Sequence, residues 1–472
     1  NKNEQIETKH HDRLLNFYGK SHIMNSALTI AKFGGTSVAN YQAMSACASI
    51  IAQQNDTRVV VVSASAGVTN HLVSLCHDEL NAEQIDNIIA QISTIQYAIE
   101  KHLPENTTRT DTLKGLIDEL TLLAKQPSLR TNDMLKEQVL SMGERMSSLL
   151  FADVLNVHGV EAEVFDVKQV MRTDSNFGAA SPDLAQIAAL STTHLAPRIQ
   201  AKVQVTQGFV GADEQGRTTT LGRGGSDFTA ALLAEALGAQ LCQIWTDVIG
   251  VYTTDPRITD KARPLPELSF EEAAEMATFG AKVLHPATME PALRQDIKVF
   301  VGSSKEPEKG GTIIVRDCEV EPPYRAITRR KEQVMVTVKT PKMMYAQGFL
   351  AKVFEIIAKH ELSVDLVTTS EISVSFTLDN PPNSVAERLN RVTIEELQDI
   401  CDVTVERGFD LITVVGNHMQ TSVGVSSKIL SAVTDYQLRM ICFGANPHNM
   451  SFLVQEQHSA DIVKQLHSVL FE

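Results

Sequence analysis

Through the first two thirds of the chain, short apolar runs end in glycine, serine or threonine and pass into stretches of helical period. That alternation marks the strand–turn–helix units of an α/β fold. Ala27–Phe33 reads as a buried strand, followed by Gly34-Gly35-Thr36-Ser37 and a helix from about Asn40 to Gln53. Arg58–Val62 carries four consecutive valines, as a central strand does, and its end, Ser63–Asn70, again breaks into small residues before a helix. Residues 78–130 read as a polar helical lobe broken near Pro104 and Pro127. Leu135, Val139, Met142, Met146 and Leu149 recur at spacings of four and three, which predicts a long helix opened by Thr131 or Asp133. Gly143 costs that helix about 1 kcal/mol against alanine, a cost tolerated where a neighbour must come close. Further strands are expected at Glu163–Val167, Lys202–Val210, Leu241–Trp245, Lys298–Val301 and Gly311–Val315. Met171–Gly178 reads as a polar loop able to close over a site, Asp213–Thr220 as a hairpin, and Phe270–Gly280 as an amphipathic helix.

The last third repeats itself. Gly348 matches Gly424, Lys352 matches Lys428 and Phe376 matches Phe452, all at one constant offset. Each copy opens with a strand, Gln333–Val338 or Leu411–Gly416, and holds two helices, so two βαββαβ units are expected. Neither carries a catalytic cluster, and a binding or regulatory role follows.

Composition narrows the function. With 472 residues, 43% of them hydrophobic and 21% charged, the chain has room for several soluble domains. No run of 18 or more apolar residues exists, so no membrane span is expected. A formal net charge of −15 argues against a general nucleic-acid binder. Six scattered cysteines form no CxxC pair and no zinc spacing, and are expected to be reduced thiols in a cytoplasmic protein. Residues 1–26 are polar and aperiodic, without a signal-peptide core; they are expected to be a tail, with Met24 a natural start.

The candidate chemistry sits in the glycine turns. Leu221–Leu237 reads as a turn, Gly222-Arg223-Gly224-Gly225, feeding a helix capped by Ser226 or Asp227 and stopped at Gly238. A glycine turn opening a helix suits an anion, most simply phosphate, and Arg223 adds a cationic fork. Lys32 stands at the carboxyl end of the first strand, where open α/β sheets bind ligands. A buried lysine there needs a phosphate or a carboxylate as partner. Glu144 falls off the apolar stripe of its helix, so the pattern alone makes it a surface or ion-paired residue. Tyr252 and Asp255-Pro256-Arg257 lie just past Thr246-Asp247 and are suited to a base and its phosphates; Lys282 is either a phosphate contact or a helix-end charge. No GxxxxGK[ST], dinucleotide GxGxxG or protein-kinase signature is present.

Lys32–Ser37, Ser63–Asn70, Gly222–Asp227, Thr246-Asp247 and Tyr252–Arg257, in this order, resemble the aspartate kinases, and most closely their lysine-sensitive monofunctional type. The resemblance runs from about Leu28 to Glu472. It implies an α/β amino-acid-kinase (carbamate-kinase-like) open-sheet domain over 27–318, followed by two ACT domains over 325–399 and 400–472. It implies ATP- and Mg²⁺-dependent phosphorylation of the β-carboxylate of L-aspartate, the first step towards lysine, threonine and methionine. On that basis Lys32, Arg223 and Asp227 are catalytic, and Ser63, Thr69, Glu144, Phe209, Arg223 and Asp227 bind substrate. Lys32, Gly34, Gly35, Thr246, Asp247, Tyr252, Arg257 and Lys282 form the ATP face, and magnesium rides mainly on the phosphates. Feedback inhibition by L-lysine is implied at the first ACT repeat, at Met343, Ala346, Gly348, Phe349, Leu350, Ser363, Val364 and Asp365. Ala346 stands where the family often has serine. A cytoplasmic homodimer through the ACT repeats, or a tetramer, is implied as well. Carbamate or acetylglutamate kinases lack the repeats and the Lys32–Ser37 motif. A pure effector sensor would not need Lys32, Glu144, Arg223 and Asp227, and the length leaves no room for a homoserine dehydrogenase domain.

Overall fold

The computed structural model describes residues 28–222, 224–280, 284, 288–318, 323–341, 347–378 and 389–472. Strands in the first part are β1 (Thr29–Phe33), β2 (Thr57–Val62), β3 (Ala162–Phe165), β4 (Val203–Gln207), β5 (Val210–Ala212), β6 (Thr218–Thr220), β7 (Leu241–Thr246), β8 (Glu267–Ser269), β9 (Lys298–Ser303) and β10 (Gly311–Val315). Eight of them form one sheet in the order β3-β4-β2-β1-β7-β9-β10-β8, while β5 and β6 make a separate hairpin. From β3 to β9 all neighbours are parallel; β10 runs antiparallel to β9. A parallel sheet is covered on both faces, which is why β2 is apolar at every valine. Val60 and Val62 face a core with Phe33, Phe151 and Met142, whereas Val59 and Val61 face the opposite core with Ile30, Ile244 and Leu233.

The expected helical lobe consists of helices Ala82–Glu100 and Thr107–Ala124, begun by side-chain caps from Asn81 and Asn106. The lobe encloses the long helix Asp133–Val157 from outside while the sheet covers it from within. That enclosure corrects two expectations. Asn132, not Thr131 or Asp133, caps this helix, accepting from the amides of Met134 and Leu135 at 3.1 and 3.4 Å. The buried face is also much wider than the apolar stripe and takes in Ser141, Gly143, Glu144 and Ser147. No helix among the described residues is long and apolar enough to cross a membrane.

Two loops differ from the sequence pattern. Lys202–Val210 is not one strand: Phe209 takes a positive φ of 69°, which breaks the run between β4 and β5. Met171–Gly178 is stitched down. The Thr173 amide donates to Ala212 at 3.0 Å, its hydroxyl bonds that of Thr219 at 2.7 Å, and the buried Asp213 carboxylate accepts from Ser175 at 3.0 Å and Arg217 at 2.7 Å. It is a fixed strap on the β5–β6 hairpin, because each polar side chain in it has a local partner.

The last third forms a second sheet from β11 (Ala326–Lys339), β12 (Val364–Thr369), β13 (Ser373–Leu378), β14 (Asp402–Val415), β15 (Leu438–Phe443) and β16 (Asn449–Gln455), in the order β12-β13-β11-β14-β16-β15. β11 and β14 are long strands shared by both repeats. Met335–Lys339 pairs with Asp402–Glu406, and Ala326–Arg330 with Leu411–Val415. Tyr324 and Ile327 pack in the core of the second repeat with Ile412, Val414 and Phe452. The second repeat therefore begins before the first one and closes after it, so the linear division at 325 and 400 is replaced by an interlocked pair.

A Cβ on Gly143 would stand 2.5 Å from the Ala64 Cβ and 3.3 Å from Leu72 Cδ1. Gly143→Ala should thus destabilise the protein by about 1–3 kcal/mol through overpacking, outweighing the helix-propensity gain of about 1 kcal/mol. Denaturant titration of both proteins checks the sign, and a more stable variant would refute the close contact.

Candidate active site

The carboxyl ends of β1, β2 and β7 lie side by side, and each opens into a polar turn. The turn after β1 is held by the Gly34 amide donating to the Trp245 carbonyl at 3.1 Å and by the Ala66 amide donating to Gly35 at 3.0 Å. A side chain on Gly35 would meet the Ala64 carbonyl at 2.9 Å, so glycine is what lets the turns after β1 and β2 touch. On the far side of β1, helix Gly225–Leu237 begins with Gly224 in the left-handed region at φ 76°. Gly224 takes the N-cap place expected of Ser226 or Asp227, because Asp227 is otherwise engaged.

Asp227 holds Lys32. Their side chains meet at 2.5 Å, and both are largely buried at the sheet edge. The sequence left Lys32 with a phosphate or a carboxylate as partner; the structure supplies the carboxylate, from the first turn of the helix that follows the Gly222 turn. Phe209 braces that turn. Its ring would lie 2.8 Å from a Cβ on Gly225, its amide donates to Thr229 Oγ1 at 3.0 Å, and its carbonyl accepts from Leu221 at 2.9 Å. A positive φ at a phenylalanine stores roughly 1–3 kcal/mol of strain, as functional turns often do.

Glu144 is only 5% exposed. Its helix is packed on the turn after β2, with Gly143 against Ala64, which sets Glu144 beside the polar turns. Burial pushes its carboxyl up to about 8, against the smaller opposing effects of an Ala64 backbone hydrogen bond and of Lys32. Ser147, one turn on, donates to the Ser63 carbonyl at 2.7 Å and fixes the helix to the turn after β2. The pattern misplaced Glu144 because it assumed one covered helix face where the fold covers nearly all of it.

Ser63 is half-buried and Thr69 exposed in the first turn of helix Val68–His77. Thr246 ends β7 half-buried, with Asp247 exposed beside it and Tyr252 bridging to Pro264. Arg257 faces solvent, its guanidinium forked onto Asp255 at 3.0 and 2.7 Å, so it is not aimed at Lys32 in this state. Arg223 and Lys282 lie outside the described residues, as do Met343 and Ala346. In the first repeat, Gly348 starts helix Phe349–Lys359 at φ 79°, Phe349 is buried, and Leu350 and Ser363 are exposed. Val364 and Asp365 are half-buried on β12, and Asp365 is paired with Arg330 of β11 at 3.0 Å. Sequence reasoning missed that arginine and also missed Ser304, which is buried just past β9 with its hydroxyl 2.6 Å from that of Ser37. Its signal was Ser303-Ser304-Lys305 at a strand's carboxyl end. Cys47, Cys76 and Cys242 are buried, and burial pushes their thiols up to about 12, so they stay protonated.

Residues 27–303 match the amino acid kinase family, and residues 412–470 match an ACT domain. The chain is 46% identical to lysine-sensitive aspartokinase 3 of Escherichia coli over 95% of its own length and all of that protein. It is 36% identical to chloroplastic aspartokinase 3 of Arabidopsis thaliana, covering 94% of this chain and 81% of that one. The crystal structure of E. coli aspartokinase III with aspartate and ADP, an R state, superposes with a TM-score of 0.84 over 94% of this chain and all of the other, at 46% identity. The lysine- and aspartate-bound T state of the same enzyme gives 0.83 over 95% of this chain and all of the other, again at 46% identity.

Glu144 makes stability depend on pH. Its folded value of about 8 lies above the ordinary 4.5, so the folded protein holds a proton that the unfolded chain releases. That contribution is full below the ordinary value and is lost as pH rises towards the folded one, at roughly 1.4 kcal/mol per unit at most. Glu144→Gln should flatten the loss between pH 5 and 8 by about 2 kcal/mol or more, read by denaturant midpoints across pH. An unchanged slope would show that Glu144 is ionised in the ligand-free protein.

Proposed function

We propose a function for this chain from one premise: it belongs to the aspartokinases, within the amino acid kinase family. It is an aspartate kinase. A β-carboxylate oxygen of L-aspartate attacks the γ-phosphorus of ATP. The new P–O bond forms as the bond to the β,γ-bridging oxygen breaks, ADP leaves with that electron pair, and 4-phospho-L-aspartate results. The observation that carries this reading is the Lys32 ammonium, held by Asp227 at the carboxyl end of the central strand beside the Gly34-Gly35 turn. A carboxylate is already a nucleophile, so the site needs alignment and charge neutralisation and not a general base.

Lys32 and the Gly35 amide neutralise the transferring phosphoryl group, and Asp227 orients Lys32; the Gly34 amide holds the turn to Trp245 instead. Glu144, charged once it meets a cation, takes the aspartate ammonium; Arg223 takes a carboxylate; Ser63, Thr69 and Phe209 border the substrate. Thr246, Asp247, Tyr252, Arg257 and Lys282 form the nucleotide face, Arg257 by turning from Asp255. Magnesium would ride mainly on the nucleotide phosphates and water, where it would neutralise phosphate charge. The described residues hold no cluster of three or more metal-ligating side chains.

For regulation, L-lysine is the effector at the first repeat, as it is a ligand of the E. coli relative's T state. Gly348–Leu350 opens a helix towards its carboxylate, and Asp365 takes its ammonium in place of Arg330. The edge strands β12 and β15 expose Val367, Ile441 and Phe443, which supports a homodimer built on this sheet. We place the enzyme in the cytoplasm, at the first step of the aspartate pathway.

A coupled ADP-release assay should give turnover with L-aspartate and none with glutamate or N-acetylglutamate. Lys32→Ala should lower kcat by about 10²–10³ with a smaller change in aspartate KM. Near-normal kcat in a folded variant would remove Lys32 from the mechanism. Calorimetric titration of lysine should show affinity lost in Asp365→Ala and weakened by saturating aspartate and nucleotide in the wild type. Undiminished affinity in Asp365→Ala would move the effector elsewhere.

A further inference from the structure

We propose that Ser304 and Ser37 form a positioning clasp that sets the distance between the phosphate-binding turn and the nucleotide face. The inference rests on the aspartokinase reading and adds residues to it. Ser37 is the last residue of the Gly34–Ser37 turn after β1, and Ser304 follows the last residue of β9. Far apart in sequence, their hydroxyls meet at 2.6 Å, and the residues are only 2% and 4% exposed. Ser304 also reaches β7: its hydroxyl donates to the Thr246 carbonyl at 3.2 Å and its amide donates to the same oxygen at 2.9 Å.

The proton directions are fixed by this chain of partners. A carbonyl has no proton to give, so the single Ser304 hydroxyl proton goes to Thr246. The bond to Ser37 must then use the Ser37 proton, with Ser304 Oγ accepting. Cys47 Sγ, 3.2 Å from the Ser37 carbonyl, closes the turn from behind as a protonated donor. The carboxyl ends of three neighbouring strands, β1, β7 and β9, are thus tied at one hydroxyl.

What the tie spans is the nucleotide. On one side stand Lys32 and the Gly35 amide, on the side of the phosphates. On the other stand Thr246 and Asp247, which face the rest of the nucleotide. Apart from the clasp, a Gly34 amide bond to Trp245 at 3.1 Å joins the β1 turn to β7. Removing the Ser304 hydroxyl leaves Ser37 Oγ buried without its acceptor, and the turn must shift to satisfy it. The clasp joins the β1 turn to β7 and β9, while the turn after β2 keeps its own bond to Gly35, so nucleotide binding should feel the shift more than aspartate binding.

The test measures MgADP affinity by calorimetry, with ATP and aspartate KM, kcat and melting temperature, on wild type, Ser304→Ala, Ser37→Ala, the double variant and Ser304→Thr. Ser304→Ala should weaken MgADP and raise ATP KM by about tenfold, with aspartate KM within about twofold, as one lost buried hydrogen bond predicts. The double variant should be no weaker than about twice the worse single variant, since both lose the same bond. Ser304→Thr, which keeps the hydroxyl, should recover MgADP affinity to within about threefold of wild type. If Ser304→Ala does not fold, Ser37→Ala removes the same bond and carries the same expectation. Unchanged MgADP affinity with only a lowered melting temperature would overturn the clasp, as would fully additive losses in the double variant. Wild-type protein that binds no MgADP would instead overturn the aspartokinase reading, and this inference with it.

Discussion

The site depends on one pairing: a lysine ammonium on a buried strand, held by an aspartate from a helix that begins far along the chain. An unpaired ammonium at that position would carry a desolvation cost of several kcal/mol. The sheet must therefore bring the turn before helix Gly225–Leu237 over the end of β1, and the strand order that places β7 next to β1 does so. Close approach sets the other constraint. Gly35 lies against the Ala64 carbonyl, Gly143 against the Ala64 side chain, Gly208 against Ser226 and Gly225 against Phe209. Each glycine removes a Cβ where two elements of the site meet, so the pocket is built by deletions as much as by charges.

Much of this was legible in the chain. Strands ending in glycine and hydroxyl residues located β1, β2 and β7, and the internal repeat located the second sheet. Lys32 was legible because a cation in an apolar run needs a partner. Glu144 was not, because a one-dimensional pattern counts a single apolar stripe and cannot see that a lobe and a sheet cover the same helix from two sides. Asp227 as the partner of Lys32 came from the family resemblance alone. The Arg330–Asp365 and Ser37–Ser304 contacts were illegible for another reason: each joins residues that only topology brings together, and neither partner is unusual alone. The interlocking of the two repeats was hidden because one long strand, β11, reads as one segment while serving two cores.

A short helix forms one of the joints between the two sheets, and its polar face is given over to that joint. Phe270–Thr278 starts with a capping box between Ser269 and Glu272. The second Glu272 oxygen meets Arg325 at 2.9 Å, with both side chains buried. Glu271 meets His448 at 2.7 Å, and Glu275 accepts from both Asn446 and Asn449 at 2.5 Å. The buried Glu272–Arg325 pair adds little net stability, since desolvation offsets attraction, but it is expensive to break one partner at a time. These contacts favour a joint that moves as a body over one that frays.

The end of that helix shows how movement of the regulatory sheet would reach the nucleotide side. Phe279 packs with Met335, Leu411 and Leu453 on the face of the sheet, beside Leu366 of β12. Gly280, at φ 115°, lies against the backbone of Arg329, whose carbonyl would stand 2.9 Å from a Cβ there. The next residue of β11 is Arg330, the partner of Asp365. The acid proposed to bind the effector and Gly280 at the helix end thus meet β11 at two adjacent positions on a strand shared by both repeats. A contact with no room for a Cβ resists compression, so a movement of β11 towards the helix end would be passed on to it. Contiguity alone carries no coupling free energy; that must come from lysine binding one arrangement of the sheet more tightly than another. Replacing Arg330 by a ligand ammonium changes the charge balance on β11 and β12 at the point where the strand touches Gly280, which is where such a difference in affinity would have to be generated.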